Sequence, residues 1–185
     1  MIRIRDVSKR YDETVAVDGL SLDIAENKLL GLIGPNGAGK TTTLKMLSTL
    51  VKPDHGSIEI HGLELPRDVR EVRRRVGYMP DTFGTFRGLT CFEYLHFFGC
   101  CHGLRGRELA SRIDDVMALT DLTKLADNLA SGLSMGLRQR LSLAKTLIHD
   151  PSILLLDEPA SGLDPRARIE TLDHRLLLIE IPILN

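Results

Sequence analysis

Apolar and polar residues alternate along MIRIRDVSKRY, the period of a strand with one buried face, and VDGLSLDI continues the pattern. Residues 1–27 are therefore expected to form an antiparallel β-ribbon. KLLGLIG differs, being a nearly continuous apolar run, as expected of a strand buried on both faces. A Gly-rich turn follows, then KTTTLKMLSTLV at helical spacing. GSIEIHG reads as a short strand between turn residues, DVREVRRR as a basic helical segment, and VGYM as another strand. From Thr90 to about Asn128 the pattern is mostly helical, with Leu95, Phe98, Ile113, Val116, Met117 and Leu125 as apolar contacts. Ser134 to His149 is a further helix, stopped by Pro151. SILLLDE, Ser152 to Glu158, is a second fully buried strand. Buried strands alternating with helices predict an α/β fold: a parallel core with an N-terminal antiparallel β-ribbon and a helical insert.

Composition changes this picture little. With 185 residues, 43% apolar and 26% charged, the chain suits one globular domain or one domain with a small insert. A net charge of −1 gives no general reason to expect nucleic acid. The basic run RDVREVRRR is interrupted by Asp68 and Glu71 and reads as a solvated helix face. Cys91, Cys100 and Cys101 show no ligand spacing, and an odd number with two adjacent argues for a reducing compartment and simple packing roles. The N-terminus is too charged for a signal peptide, and no apolar window reaches a membrane span. A cytosolic chain is expected.

The chemistry is concentrated in two motifs. GPNGAGKT, Gly34 to Thr41, matches G-x-x-x-x-G-K-[ST] without mismatch. Glycines let successive backbone N–H groups curl inward around phosphates, and the helix starting near Lys40 adds its positive end. Gly34, Pro35, Asn36, Gly37, Ala38, Gly39, Lys40, Thr41 and Thr42 are thus the candidate ATP-binding residues. Lys40 supplies a cation for the β- and γ-phosphates, and the Thr41 hydroxyl is placed to ligate Mg²⁺. The second motif is ILLLDE. Its strand delivers Asp157 at the carboxyl end, where it can hold Mg²⁺ through water, and Glu158 where it can orient or deprotonate a water attacking the γ-phosphate. With no second substrate site visible, ATP hydrolysis is favoured over phosphoryl transfer, with Glu158 and Lys40 as catalytic residues.

At LSMGLRQRLSLAKTLIHDPSILLLDEPASGLDP the sequence resembles the ATP-binding subunit of an ABC transporter, and VGYMPDTFGTFRGLTCFEYLHFFG resembles its exporter-type (ABC-2) branch. The resemblance covers about residues 1–168, an ABC-type domain on the P-loop NTPase core, with a helical insert at about 88–150. It implies that Tyr11 stacks on adenine, although an aromatic packed on the ribbon explains it equally well. It implies that Ser134 and Gly136, in LSMGL, cap the γ-phosphate of ATP held by the opposite subunit. Ser134 also suits an ordinary N-cap. SGLD, Ser161 to Asp164, matches the loop lining the dimer interface. The family's partners are a transmembrane permease and a second ATP-binding domain, identical or not, with no nucleic acid. The domain would sit in the cytoplasm, peripheral on the inner face of the cell membrane. The segment near Phe83 to Tyr94 would transmit motion to the permease, or belong partly to the core of the insert.

Three departures stand out. Met135 replaces the usual glycine of the signature, and Asp81 replaces the glutamine after VGYMP, where its carboxylate can ligate the metal. After Arg168 the likeness fades. Residues 169–185 form a divergent tail, and His174 follows Glu158 too soon to be the family's switch histidine. The favoured expectation is a truncated domain with a gap between the phosphate-loop strand and the ILLLDE strand. The alternative uses Leu176 to Ile181 as a makeshift strand, against which stand a short connection counted from Arg168 and Pro182. Two other functions compete with an export ATPase. One is a nucleotide-binding module without turnover. The other is a soluble ABC ATPase acting on DNA or ribosomes, disfavoured by the lack of coiled-coil insertions.

Overall fold

The structure is a computed structural model that describes residues 1–82, 84 and 86–157 in full and 176–182 by their backbone. Along the chain run β1 (Ile2–Tyr11), β2 (Thr14–Ile24), β3 (Leu29–Gly34), α1 (Lys40–Leu47), β4 (His55–Ile60), β5 (Leu63–Leu65), α2 (Val69–Arg75) and β6 (Val76–Met79). Then come α3 (Cys91–Cys101), α4 (Gly106–Leu119), α5 (Met135–Leu147), β7 (Ile153–Leu156) and β8 (Leu176–Pro182). They divide into two compact units. The first is built on Met1–Tyr78 with β7 and β8, the second on Met79–Pro151.

The first unit holds two sheets, ordered β2-β1-β4-β5 and β3-β8-β7-β6. The predicted ribbon is present, with β1 and β2 antiparallel and β4 added on the other side of β1. Along β1, Ile2 and Ile4 point inward while Arg3 and Arg5 reach Glu59 and Asp23 on the outer face. At Asp6 the backbone turns to φ 48° and the pairing register shifts. This bulge resets the alternation, so that Val7 is again buried. Ile2, Ile4 and Val7 join Ile58 and Ile60 of β4, Leu44 and Leu47 of α1, and Ile153 and Leu155 of β7 in one core cluster.

Two expectations are corrected here. KLLGLIG is not buried on both faces: in β3, Leu29 and Ile33 are 64% and 68% exposed. The exposed positions alternate along β3, so the described residues cover one of its faces and leave the other open. An apolar run shows that a strand seeks burial but cannot show which layer covers each face. The second correction concerns the gap. β8 lies between β3 and β7 and runs parallel to both, from Leu29↔Leu177 to Gly34↔Pro182 on one side and from Ile153↔Leu176 to Leu156↔Ile179 on the other. The crossover has to be counted from the end of β7, and residues 157–175 exceed the dozen or so that a parallel connection needs. Pro182 falls at the last rung, opposite Gly34, where a missing N–H interrupts no interior ladder.

The second unit is helical. Gly103, at φ 92°, separates α3 from α4. Helix α3 opens with a capping box: the Glu93 N–H donates to Thr90 Oγ1, and the Thr90 N–H donates to the Glu93 carboxylate. Leu95, Leu109, Ile113, Val116, Met117, Leu141 and Leu147 are buried, whereas Phe98 and Leu125 are half-buried. Gly99 permits close approach of α3 and α4, since a Cβ there would lie 2.3 Å from Leu109 Cδ1. Thr90→Ala removes one half of the capping box and is expected to cost about 1 kcal/mol, measured as a lower midpoint in urea with unchanged m. Cys91 is buried, in keeping with a packing role, and the three cysteines are free thiols. Among the described residues no helix is long and apolar enough to cross a membrane.

Candidate active site

The site grows from the carboxyl end of β3. Gly34 closes the strand, and Pro35 to Ala38 form an exposed loop in which the Ala38 N–H donates to the Pro35 carbonyl at 3.2 Å. Gly37 and Gly39 both take left-handed conformations, φ 85° and 81°. At Gly39 the requirement is doubled, because a Cβ would stand 2.3 Å from the Ala16 carbonyl oxygen on β2. Beta strand and phosphate loop thus touch backbone to backbone. Gly39 caps α1, and its carbonyl accepts from the N–H of Thr43 at 2.8 Å and from the Thr43 hydroxyl at 2.9 Å. The positive end of α1 is thereby turned to the loop.

Lys40 begins the helix, and its side chain folds under the loop. Its Nζ donates to the carbonyls of Gly34 at 2.8 Å and Pro35 at 3.0 Å, and the residue is buried. An ammonium is therefore fixed beneath a ring of backbone, as phosphate recognition requires. Thr41 and Thr42 follow, both half-buried. Beside the loop, Ala16, Val17, Leu20, Leu32, Ala38 and Lys40 contribute to a cleft of about 290 Å³.

The second motif meets the first across the sheet. Asp157, just beyond β7, is 1% exposed, and its Oδ1 accepts from Thr41 Oγ1 at 3.1 Å. Its other oxygen, Oδ2, accepts from the Tyr78 hydroxyl at 2.7 Å. The hydroxyl and carboxylate are hard oxygen donors, as Mg²⁺ demands. Their separation is close to the ~3 Å between neighbouring oxygens around an octahedral Mg²⁺. No cluster of three or more His, Cys, Asp or Glu forms among the described residues. One carboxylate beside one hydroxyl suits a cation that draws its remaining ligands from phosphate and water. The residues present fit the ion.

Pattern, loop, buried acid and strand order together match a known family. The sequence profile of the ABC transporter family covers residues 17–161. The chain belongs to this family.

Among curated members, the chain is similar to the Nod factor export ATP-binding protein I of Burkholderia thailandensis, at 42% identity over 167 residues. That match takes in 90% of this chain and 55% of the relative. The daunorubicin resistance ATP-binding protein DrrA3 of Streptomyces coeruleorubidus is 40% identical over 172 residues, 93% of this chain and 54% of the relative. The chain thus spans about half the length of these relatives. Among solved structures, an ATP-binding subunit of an ABC transporter superposes with TM-score 0.86 at 26% identity, covering 99% of this chain and 80% of that one. The dimeric bacterial ABC cassette MJ0796 also gives 0.86, at 25% identity, covering 97% and 87%.

The other family positions are distributed as follows. Tyr11 ends β1 in the first unit, 43% exposed, with Lys9 Nζ 5.6 Å from its ring centre. Ser134 is the N-cap of α5, accepting from the Leu137 N–H, so its capping role is real whatever else it does. Gly136 lies in the first turn of α5, with open space where a Cβ would stand. Met135 is 72% exposed. Asp81 belongs to the second unit, where its Oδ1 accepts from the N–H and hydroxyl of Thr82. Tyr94 is core, whereas Phe86, Phe92 and Phe97 are exposed, with Phe86 edge-on to Phe97 at 5.3 Å. Glu158, Ser161 to Asp164, His174 and Phe83 lie outside the described residues. The sequence reading missed Tyr78, because VGYM shows a strand but not which acid lies across from it.

Proposed function

We propose that the chain is the ATP-binding subunit of an exporter, coupling ATP binding and hydrolysis to movement of a substrate through a membrane partner. The observation that carries this reading is the link from Thr41 to the buried Asp157, which brings the glycine loop and the second motif into one site. Both curated relatives above bear the names of export or resistance ATP-binding proteins. In the mechanism, loop N–H groups and Lys40 bind the phosphates of ATP, and Tyr11 stacks on the base. Thr41 and Asp157 would hold Mg²⁺, which when bound would neutralise charge developing on the phosphates. Glu158 orients the attacking water. Ser134 and Gly136 face the γ-phosphate of a second copy or a paralogous domain, so that ATP closes a dimer and hydrolysis opens it. The exposed rings of Phe86, Phe92 and Phe97 offer a face to the permease, with the subunit on the cytoplasmic side of the membrane.

Light scattering on the full chain tests this reading. Mg-ATP should convert monomer to dimer. Gly136→Asp should keep the fold and the binding of ATP, because the site has room and an acid suits a helix N-terminus. It should abolish dimerisation, because it sets a carboxylate against the partner's phosphate. A chain that binds ATP but stays monomeric without turnover is instead a binding module. A chain that dimerises equally with Gly136→Asp defeats the shared-site reading.

A further inference from the structure

We propose that Tyr78 is a positioning residue for the metal-holding carboxylate, anchoring Asp157 Oδ2 so that Oδ1 faces Thr41. The inference deepens the Mg-ATP reading and rests on it. Its geometry is specific. The phenol donates to Oδ2 at 2.7 Å while Thr41 Oγ1 donates to Oδ1 at 3.1 Å, so the two carboxylate oxygens have separate partners. These partners differ in what loading requires of them. A threonine hydroxyl that ligates a cation must turn a lone pair toward it, while its O–H can go on donating to Asp157 Oδ1. The phenol stands on the other side of the carboxylate and keeps its bond. Tyr78 thereby holds the Oδ2 side of the carboxylate against rotation about Cβ–Cγ.

The anchor is itself rigid. Tyr78 lies in β6, which neighbours β7 in the sheet, and its ring packs against the core cluster of the first unit. The hydroxyl is thus placed by strand pairing and core packing. Outer partners of this kind orient metal-holding carboxylates, and their loss typically weakens metal binding about 10–100-fold.

The test uses the full chain and a fluorescent ATP analogue, titrated with Mg²⁺ after binding in EDTA has been measured. Tyr78→Phe removes one hydroxyl and keeps the ring. It should leave affinity in EDTA unchanged and raise the Mg²⁺ half-saturation about tenfold. In an Asp157→Asn background, adding Tyr78→Phe should produce no further shift, because the anchor acts only through that carboxylate. An unchanged Mg²⁺ midpoint, or the same shift in both backgrounds, overturns the proposal. Should Tyr78→Phe alone fail to fold, recovery of folding with Asp157→Asn supports it, since the fault is then a buried carboxylate without its donor. Failure to recover overturns it. A parent chain that binds nucleotide neither in EDTA nor in Mg²⁺ defeats the nucleotide reading itself, a different outcome from any of these.

Discussion

Gly39→Ala is expected to destabilise the first unit by about 2–5 kcal/mol and to abolish its response to Mg-ATP. Two costs combine. A residue with a side chain pays roughly 1–2 kcal/mol to adopt the left-handed conformation. The new methyl would also stand 2.3 Å from the Ala16 carbonyl oxygen, and backbone cannot yield as a side chain can. Overpacking of this kind typically costs about 1–3 kcal/mol. Relief requires β2 to move away from the loop, which distorts the cleft lined by Ala16, Val17, Ala38 and Lys40. Gly37→Ala is the control. Gly37 shares the positive φ, but its Cβ would meet nothing within 4 Å, so only the first cost of roughly 1–2 kcal/mol remains. Urea melts of the two variants should therefore rank Gly39→Ala well below Gly37→Ala. Equal losses would show that the contact with Ala16 is relieved without cost.

Lys40→Ala should have the second-largest effect, on ligand response more than on the fold. Removing the ammonium takes one donor each from the Gly34 and Pro35 carbonyls, at a typical net cost of about 1 kcal/mol per bond. The lost interaction with phosphate is far larger. In the parent, Mg-ATP at a hundredfold over Kd should add about 2.7 kcal/mol to stability. A hundredfold weaker Kd at the same concentration leaves only about 0.4 kcal/mol. Thermal melts with and without Mg-ATP read this directly. A variant whose melting temperature still rises like the parent's would mean that the nucleotide is bound elsewhere.

The site was largely legible in the sequence because its parts are local. Gly34 to Thr41 are contiguous, so spacing alone prescribes a loop that opens a helix, and the four buried residues of ILLL announce a strand that must end at Asp157. What could not be read was lateral. Nothing in VGYM reveals that Tyr78 reaches Asp157, since that depends on strand order. Nothing in KLLGLIG shows which of its faces another layer covers, and so the exposure of Leu29 and Ile33 is not readable from it. The tail misled for a related reason. LLLIEIPIL has the composition of a strand, but its place beside β3 follows from pairing partners far away in the chain. In the helical unit, apolar spacing located Leu95, Ile113, Val116 and Met117 correctly, because a helix face is set by neighbours three and four residues apart.

The place of β8 also sets a timetable for synthesis. On the ribosome, β3 and the phosphate loop emerge early, yet the strand that lies beside β3 comes from residues 176–182. The helices of the second unit are complete by Leu147, and their contacts are comparatively close in sequence. They can settle while translation continues. The parallel sheet under the active site cannot close in that time, because its central pairing joins Leu29–Gly34 to Leu177–Pro182, far apart in sequence, and such pairings form slowly. Until then the backbone N–H and C=O groups along that edge of β3 lack their strand partner. A nascent chain halted before residue 176 should therefore lack the β3–β8 pairing, read as faster hydrogen exchange along β3 than in the full chain.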